Sequence, residues 1–283
     1  MYRWFVISVF LVFCTLAGFS QIKLPFVKAQ QIEYFNELEK ISKAGYKTCE
    51  IYVYVISDGN VTADKNLDRI KQFYPDGRIR EIEFLDTKGR VESIDIYKYY
   101  PNKLPQSIGT FLPSGKELHR EVYRYDTQGH LSEMVEYDEH GYILSKIVVE
   151  IDTSLKKAGV RKYTSPEDIA WFKCFYFDDL KTGRLIQKED YSESEELLNR
   201  RIIEYENNNL HTETVMKTDS TIIYQLAYIY DVNGDNSLVN LIEPNDRKLE
   251  LIRYDYDKFH LVTGIFEKDR NSKIVQMIKN EYH

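Results

Sequence analysis

Cysteine, proline, glycine and long apolar runs are all scarce in this sequence, and each shortage excludes something. Three cysteines are too few for a disulfide scaffold, while seven prolines and 13 glycines in 283 residues rule out collagen-like and low-complexity chains. Positive charge is not in excess either. Thirty-eight Lys and Arg face 45 Asp and Glu, a net charge of −7, so the footprint of a nucleic-acid binder is missing and no nucleic-acid partner is expected. Against these shortages stand 23 Tyr and 14 Phe, a surplus that suits pleated, half-buried strands. At 43% hydrophobic and 29% charged residues, the chain can bury a sizeable core.

The one uncharged apolar stretch of note runs from Trp4 to Phe19, after Arg3 and before Ser20. It is shorter than the roughly 18 to 20 residues that cross a bilayer, and its three-part layout predicts a secretory signal peptide over 1–20. Cys14 follows Val12 and Phe13 rather than a small residue, which argues against a lipid anchor. Cleavage would leave Cys49 and Cys174, and no membrane span. The protein is expected to be exported, to the periplasm, the outer membrane or the exterior.

Self-similarity dominates the rest. An aromatic or apolar anchor recurs at Phe73, Tyr99, Tyr125, Ile151 and Phe177 in steps of 26, then at Tyr205, Tyr230, Tyr256 and Tyr282 after steps of 28, 25, 26 and 26. Turn signals such as D-T-K-G at 86–89, D-T-Q-G at 126–129 and D-E-H-G at 138–141 put Asp where it caps a turn and Gly where φ is positive. Each period thus holds two strands and two turns. Between the anchors, Ile82, Ile108, Met134, Val160 and Ile186 form one column, Ile96, Val122, Val148 and Cys174 a second, and Tyr97, Tyr123, Val149 and Phe175 a third. Matching side chains stacked across copies build a core that no copy buries alone. The second column makes Cys174 a buried hydrophobe.

The expected fold is therefore all-β: a long twisted antiparallel meander of about eight 26-residue two-strand repeats over 46–283, curled so that one face is partly covered. Charges such as Glu81, Glu83 and Arg80 on one strand, or Glu133 and Glu136 on another, speak against an outer-membrane barrel. Residues 21–45 read as a linker and a short capping helix, with Ile32, Phe35, Leu38 and Ile41 spaced by three and Gly45 as its stop. The helix is expected to cover the first sheet edge, because open edges invite pairing with other chains.

The pattern Y-x-Y-D-x-x-G-x-L at 123–131, followed by Y-D-E-H-G at 137–141 and echoed at 230–234, resembles the YD repeats of Rhs and teneurin-type exported proteins, and more loosely the repeats of antitoxins related to MORN proteins. The likeness spans most of 65–283. It implies the sheet architecture; in the large YD families the sheet spirals into a shell around cargo, and about eight copies are too few to enclose one.

Catalytic signatures are absent from the sequence: there is no G-x-S-x-G, no phosphate-binding glycine loop, and no metal spacing among the six histidines. Asp231, Asn233, Asp235 and Ser237 echo a calcium loop, but position 12 is Ile242 and Glu243 comes one residue late. Neither metal nor cofactor is expected. The Tyr ladder (Tyr97, Tyr99, Tyr123, Tyr125, Tyr228, Tyr230, Tyr254 and Tyr256) reads first as packing glue and second as a ligand-binding platform. These features point to an exported, non-enzymatic β-repeat scaffold or binding module of the bacterial envelope, with a protein or glycan as partner. Two alternatives are a carbohydrate-active hydrolase using carboxylate pairs such as Glu81 with Glu83 or Glu133 with Glu136, and an immunity or antitoxin-type partner.

Overall fold

The computed structural model describes residues 31–164, 168–180 and 182–283; the expected leader at 1–20 lies outside them. A helix, α1 (Gln31–Ala44), precedes eighteen strands: β1 (Thr48–Ser57), β2 (Asn60–Phe73), β3 (Ile79–Leu85), β4 (Val91–Tyr99), β5 (Pro105–Phe111), β6 (Glu117–Tyr125), β7 (Leu131–Asp138), β8 (Ile143–Asp152), β9 (Lys157–Tyr163), β10 (Ile169–Phe177), β11 (Leu185–Tyr191), β12 (Leu197–Glu206), β13 (Asn209–Met216), β14 (Ile222–Tyr230), β15 (Asn236–Ile242), β16 (Lys248–Tyr256), β17 (Val262–Lys268) and β18 (Ile274–Tyr282).

The turns explain the repeat. Asp86 Oδ1 accepts the backbone N–H of Lys88 at 2.8 Å and of Arg90 at 2.9 Å, and Asp126, Asp138, Asp231, Asp257 and Asp269 grip their own turns in the same way. The fourth turn residue is left-handed, which favours glycine: φ is +74° at Gly89 and +87° at Gly129, though Lys103 and His260 also adopt it. Asp231 is thus engaged as a turn cap within the calcium-like stretch.

Every strand pairs antiparallel with its sequence neighbours, and β1 also pairs with β18, Cys49 standing opposite Tyr282 and Val53 opposite Ile278. The expected open meander is therefore corrected to a closed 18-stranded barrel. Repeat periodicity describes copies and says nothing of whether the last meets the first. Closure removes both edges at once. The strands tilt: directly paired residues lead from Cys49 through Lys71, Ile82, Asp95, Thr110 and His119 to Asp138, from one end of β1 to the opposite end of β7. One strand length gained over six strands corresponds to a tilt of about 40°. At that tilt a circular cross-section has a backbone radius on the order of 18 Å, far beyond the ~10 Å separation at which two sheets interdigitate.

The wall has two chemically different faces. The Ile82 column, with Tyr97, Tyr123, Val149 and Phe175 beside it, lies on the inner face, because α1 packs against residues of that same phase. The Ile96, Val122, Val148 and Cys174 column lies on the outer one. One assignment needs correction: the inner column does not continue from Val160 to Ile186. The β10–β11 turn is two residues longer than its β2–β3 counterpart, as Asp178 N–H reaches Arg184 O where Tyr74 N–H reaches Arg78 O. Lys188 therefore stands opposite Phe175, where Ile82 stands opposite Lys71 in its own copy. In the next copy the place falls to Glu213, opposite Ile203.

The helix is also placed differently from expectation. With no edge to cover, α1 sits across one end of the barrel, burying Leu38 and Ile41, the latter against Cys49, Ile51, Phe73, Leu261 and Ile278. Ser42 Oγ donates to Pro75 O at 2.9 Å and Lys40 Nζ to His260 O at 3.1 Å, tying it to the β2–β3 and β16–β17 turns. Cys49 and Cys174 are buried free thiols on β1 and β10; burial pushes the Cys49 thiol up to about 11.

Candidate functional site: the inner wall of the barrel

Alternation along each strand sends every second side chain inward, and the inward residues form layers. The layer nearest α1 is aromatic. Here four anchors repeat one bond: the hydroxyls of Tyr99, Tyr205, Tyr230 and Tyr256 donate to the carbonyls of Ile79, Leu185, Leu210 and Asn236 at 2.7–2.9 Å. Each ties the end of one hairpin back to its own start, β3–β4, β11–β12, β13–β14 and β15–β16 in turn. All eight tyrosines singled out from the sequence face inward. Tyr97 and Tyr123 are buried, and Tyr99, Tyr125, Tyr228, Tyr230, Tyr254 and Tyr256 are half-buried or partly exposed in this layer.

Above it, at mid-height, lies a belt of titratable groups of which the sequence pointed to Glu136 alone. On β4–β8 it is acidic. Asp95 Oδ1 accepts from Thr110 Oγ1 at 2.5 Å, and Thr110 in turn lies 3.2 Å from His119 Nε2. Glu121 and Glu136 stand directly opposite each other across β6–β7, a like-charge pair that a sheet ordinarily avoids. Tyr123 donates to Glu121, and Ser145 donates to Glu136 at 2.8 Å. Burial raises the Glu121 carboxyl above its usual range and the Glu136 charge adds to the rise; burial likewise raises Asp95.

On β9–β13 the belt turns basic. Lys162, Lys173, Lys188 and Arg201 point inward among Trp171, Phe175, Asp190 and Glu213. Arg201 Nη1 bonds Glu213 Oε1 at 2.8 Å, and Tyr228 donates to Glu213 Oε2 at 3.2 Å. Burial, then the Arg201 charge, lowers the Lys188 ammonium to about 8. Farther round, Leu226, Leu241 and Ile252 make the belt apolar until Glu267, which burial alone raises to about 7.

The outer wall differs in kind. Its carboxylates carry matched cations: Glu133 with Arg124 and with Lys146, Glu281 with Lys65 at 3.0 Å and Lys279 at 3.2 Å, Glu189 with Arg200 at 3.0 Å, and Glu150 with Arg161 at 2.9 Å. The carboxylate pairs picked from the sequence belong mostly here. Glu81 and Glu83 both face outward, and Glu133 and Glu136 are divided by the wall. What could have revealed the belt is phase: Lys188 and Glu213 interrupt an inward column that is otherwise apolar.

No family model and no curated protein matches the chain. Among solved structures it is similar to a porin-like protein from Bacteroides uniformis (9% identity, 84% of this chain and 98% of that one, TM-score 0.41) and to a porin-like protein from Bacteroides vulgatus (9%, 83% and 97%, TM-score 0.29). It is also similar to a protein of unknown function from Bacteroides fragilis (13%, 53% and 92%, TM-score 0.16). These likenesses are slight, and the barrel stands on its own strand pairings.

Proposed function

We propose that this protein is an exported, non-enzymatic barrel of the cell envelope that stays in water and binds a glycan in its lumen. The observation that carries the reading is the contrast between the walls: ion pairs outside, and inside a belt of unevenly matched charges above a tyrosine layer. A lipid-facing wall needs an apolar band about 25 Å tall. The outward Arg124, Glu133, Lys146, Arg161 and Arg200 interrupt any such band. Seven-residue strands such as β3, tilted by about 40°, rise less than ~20 Å along the barrel axis. Tyrosine rings with carboxylates and hydroxyls beside them suit sugars, whose apolar faces stack while their hydroxyls hydrogen-bond. The likeness to YD-repeat proteins is supported by the shared turn chemistry alone.

The mature chain should purify without detergent and bind members of a glycan panel by calorimetry. Stable insertion into liposomes with single-channel conductance would replace this reading with a pore. A hydrolase is the second reading, favoured by the Glu121–Glu136 juxtaposition with its raised carboxyl. Glycan cleavage lost in both Glu121→Gln and Glu136→Gln, with the fold intact, would establish it instead.

A further inference from the structure

We propose that Lys173, Lys188 and Arg201 form a seat for an anionic group, a carboxylate or a phosphate, on the ligand that enters the lumen. The inference deepens the glycan-binding reading and rests on it: the glycan would be an acidic one.

Three cations surround a single carboxylate. Lys173 Nζ lies 3.6 Å and Lys188 Nζ 3.7 Å from Asp190 Oδ1, and Arg201 Nε lies 3.9 Å from Asp190 Oδ2. All three stop short of hydrogen-bond distance. Asp190 Oδ1 and Arg201 Nε are buried and make no hydrogen bond, which is costly for charged groups. Arg201 is held in place from its other side by Glu213 at 2.8 Å, so its guanidinium is anchored while Nε is left over. Even with Glu213 counted, three positive groups face two negative ones, and Lys162 lies on the same inner wall.

Packing offers no reason for this. The place that Lys188 occupies is filled by Ile82, Ile108, Met134 and Val160 in the preceding copies, by Glu213, the partner of Arg201, in the next, and by Val239 and Ile265 in later ones. Two adjacent charged groups, Lys188 and Glu213, kept where every other equivalent is apolar are the kind of local conflict that marks a working site. An anionic oxygen between the three cations would supply the acceptor they lack. Trp171, 4.8 Å beneath the Lys173 ammonium, gives an apolar shoulder for a sugar ring. The Lys188 ammonium is lowered first by burial and then by the Arg201 charge, a cation crowding that a bound anion would relieve.

The test uses the full mature chain, wild type and the Lys188→Met and Lys173→Met variants. Three probes are titrated at low salt: an oligogalacturonate, its methyl-esterified form, and inorganic phosphate. Lys188 is followed by NMR after reductive methylation, and near-ultraviolet circular dichroism checks the fold. The expected result is at least tenfold tighter binding of the acid than of the ester, a loss of about tenfold in either variant, and an upward shift of the Lys188 titration with phosphate. Equal binding of acid and ester with Lys188 unmoved overturns the anion seat and leaves glycan binding standing. If no oligosaccharide binds yet phosphate raises Lys188, the seat stands and the glycan reading falls. If phosphate too leaves Lys188 unmoved, the seat is refuted. Lys173→Met decides the matter should Lys188→Met fail to fold.

Discussion

Glu50 on β1 and Glu281 on β18 face each other across the outer wall, two carboxylates from opposite ends of the described chain brought into direct register. Directly paired strand residues have Cα atoms about 4.5 to 5.5 Å apart, within the range a disulfide spans. Oxidation of the double variant Glu50→Cys, Glu281→Cys by dissolved oxygen with a copper catalyst should therefore link the seam, read as a mass loss of about 2 Da, the two thiol hydrogen atoms, and faster migration on a non-reducing gel. A pair that stays reduced in folded protein would mean that the barrel is open at this seam.

Gly77 and Gly89 both hold positive φ, +84° and +74°, but only one of them faces the helix. A Cβ on Gly77 would lie 2.0 Å from Leu38 O, whereas one on Gly89 meets nothing within 4 Å. Gly89→Ala should cost about 1 kcal/mol, the backbone penalty alone. Gly77→Ala should cost at least ~2 kcal/mol, because α1 must also shift. Urea melts of the two variants compare them, and equal losses would show that α1 is not docked on this turn.

Tyr230→Phe and Tyr256→Phe each remove a hydroxyl from a carbonyl at 2.9 and 2.7 Å while leaving the ring in place. Each should lower stability by about 1 kcal/mol, the net value of such a bond. Glycan binding is the accompanying readout. A loss of affinity larger than the loss of stability would move these tyrosines from packing to recognition.

Glu267 predicts a dependence on pH. Its carboxyl is raised from the ordinary 4.5 to about 7 by burial, so between those values the folded protein holds a proton that the unfolded chain has released. Stability then falls as pH rises from about 4.5 to 7 and levels off above. Glu267→Gln should flatten that slope and gain on the order of 2 kcal/mol at pH 8, measured by denaturant melts at several pH values. An unchanged slope would place the effect elsewhere.

Much of the architecture was legible because the repeat is built from local chemistry. Asp86, Asp126 and Asp138 announce their turns, and the anchors Tyr99, Tyr205, Tyr230 and Tyr256 recur because each ties its own hairpin's end to its start. Closure was not legible, since the pairing of Glu50 with Glu281 leaves no local trace in either strand. The belt was hidden for a related reason. Two extra residues in the turn after Phe177 displaced the repeat, so Ile186 took the place in the column that belongs to Lys188. Glu81 with Glu83 and Glu133 with Glu136 drew notice as neighbours in sequence, while Glu121, which does meet Glu136, is joined to it only by the β6–β7 register.

The bond between first and last strands also constrains how such a chain can change length. An open stack could gain or lose a copy at its end with little effect on the rest. Here any added or missing hairpin must alter the girth of the whole ring, resetting the curvature felt at every position, so copy number is a property of the complete circle rather than of any one unit within it.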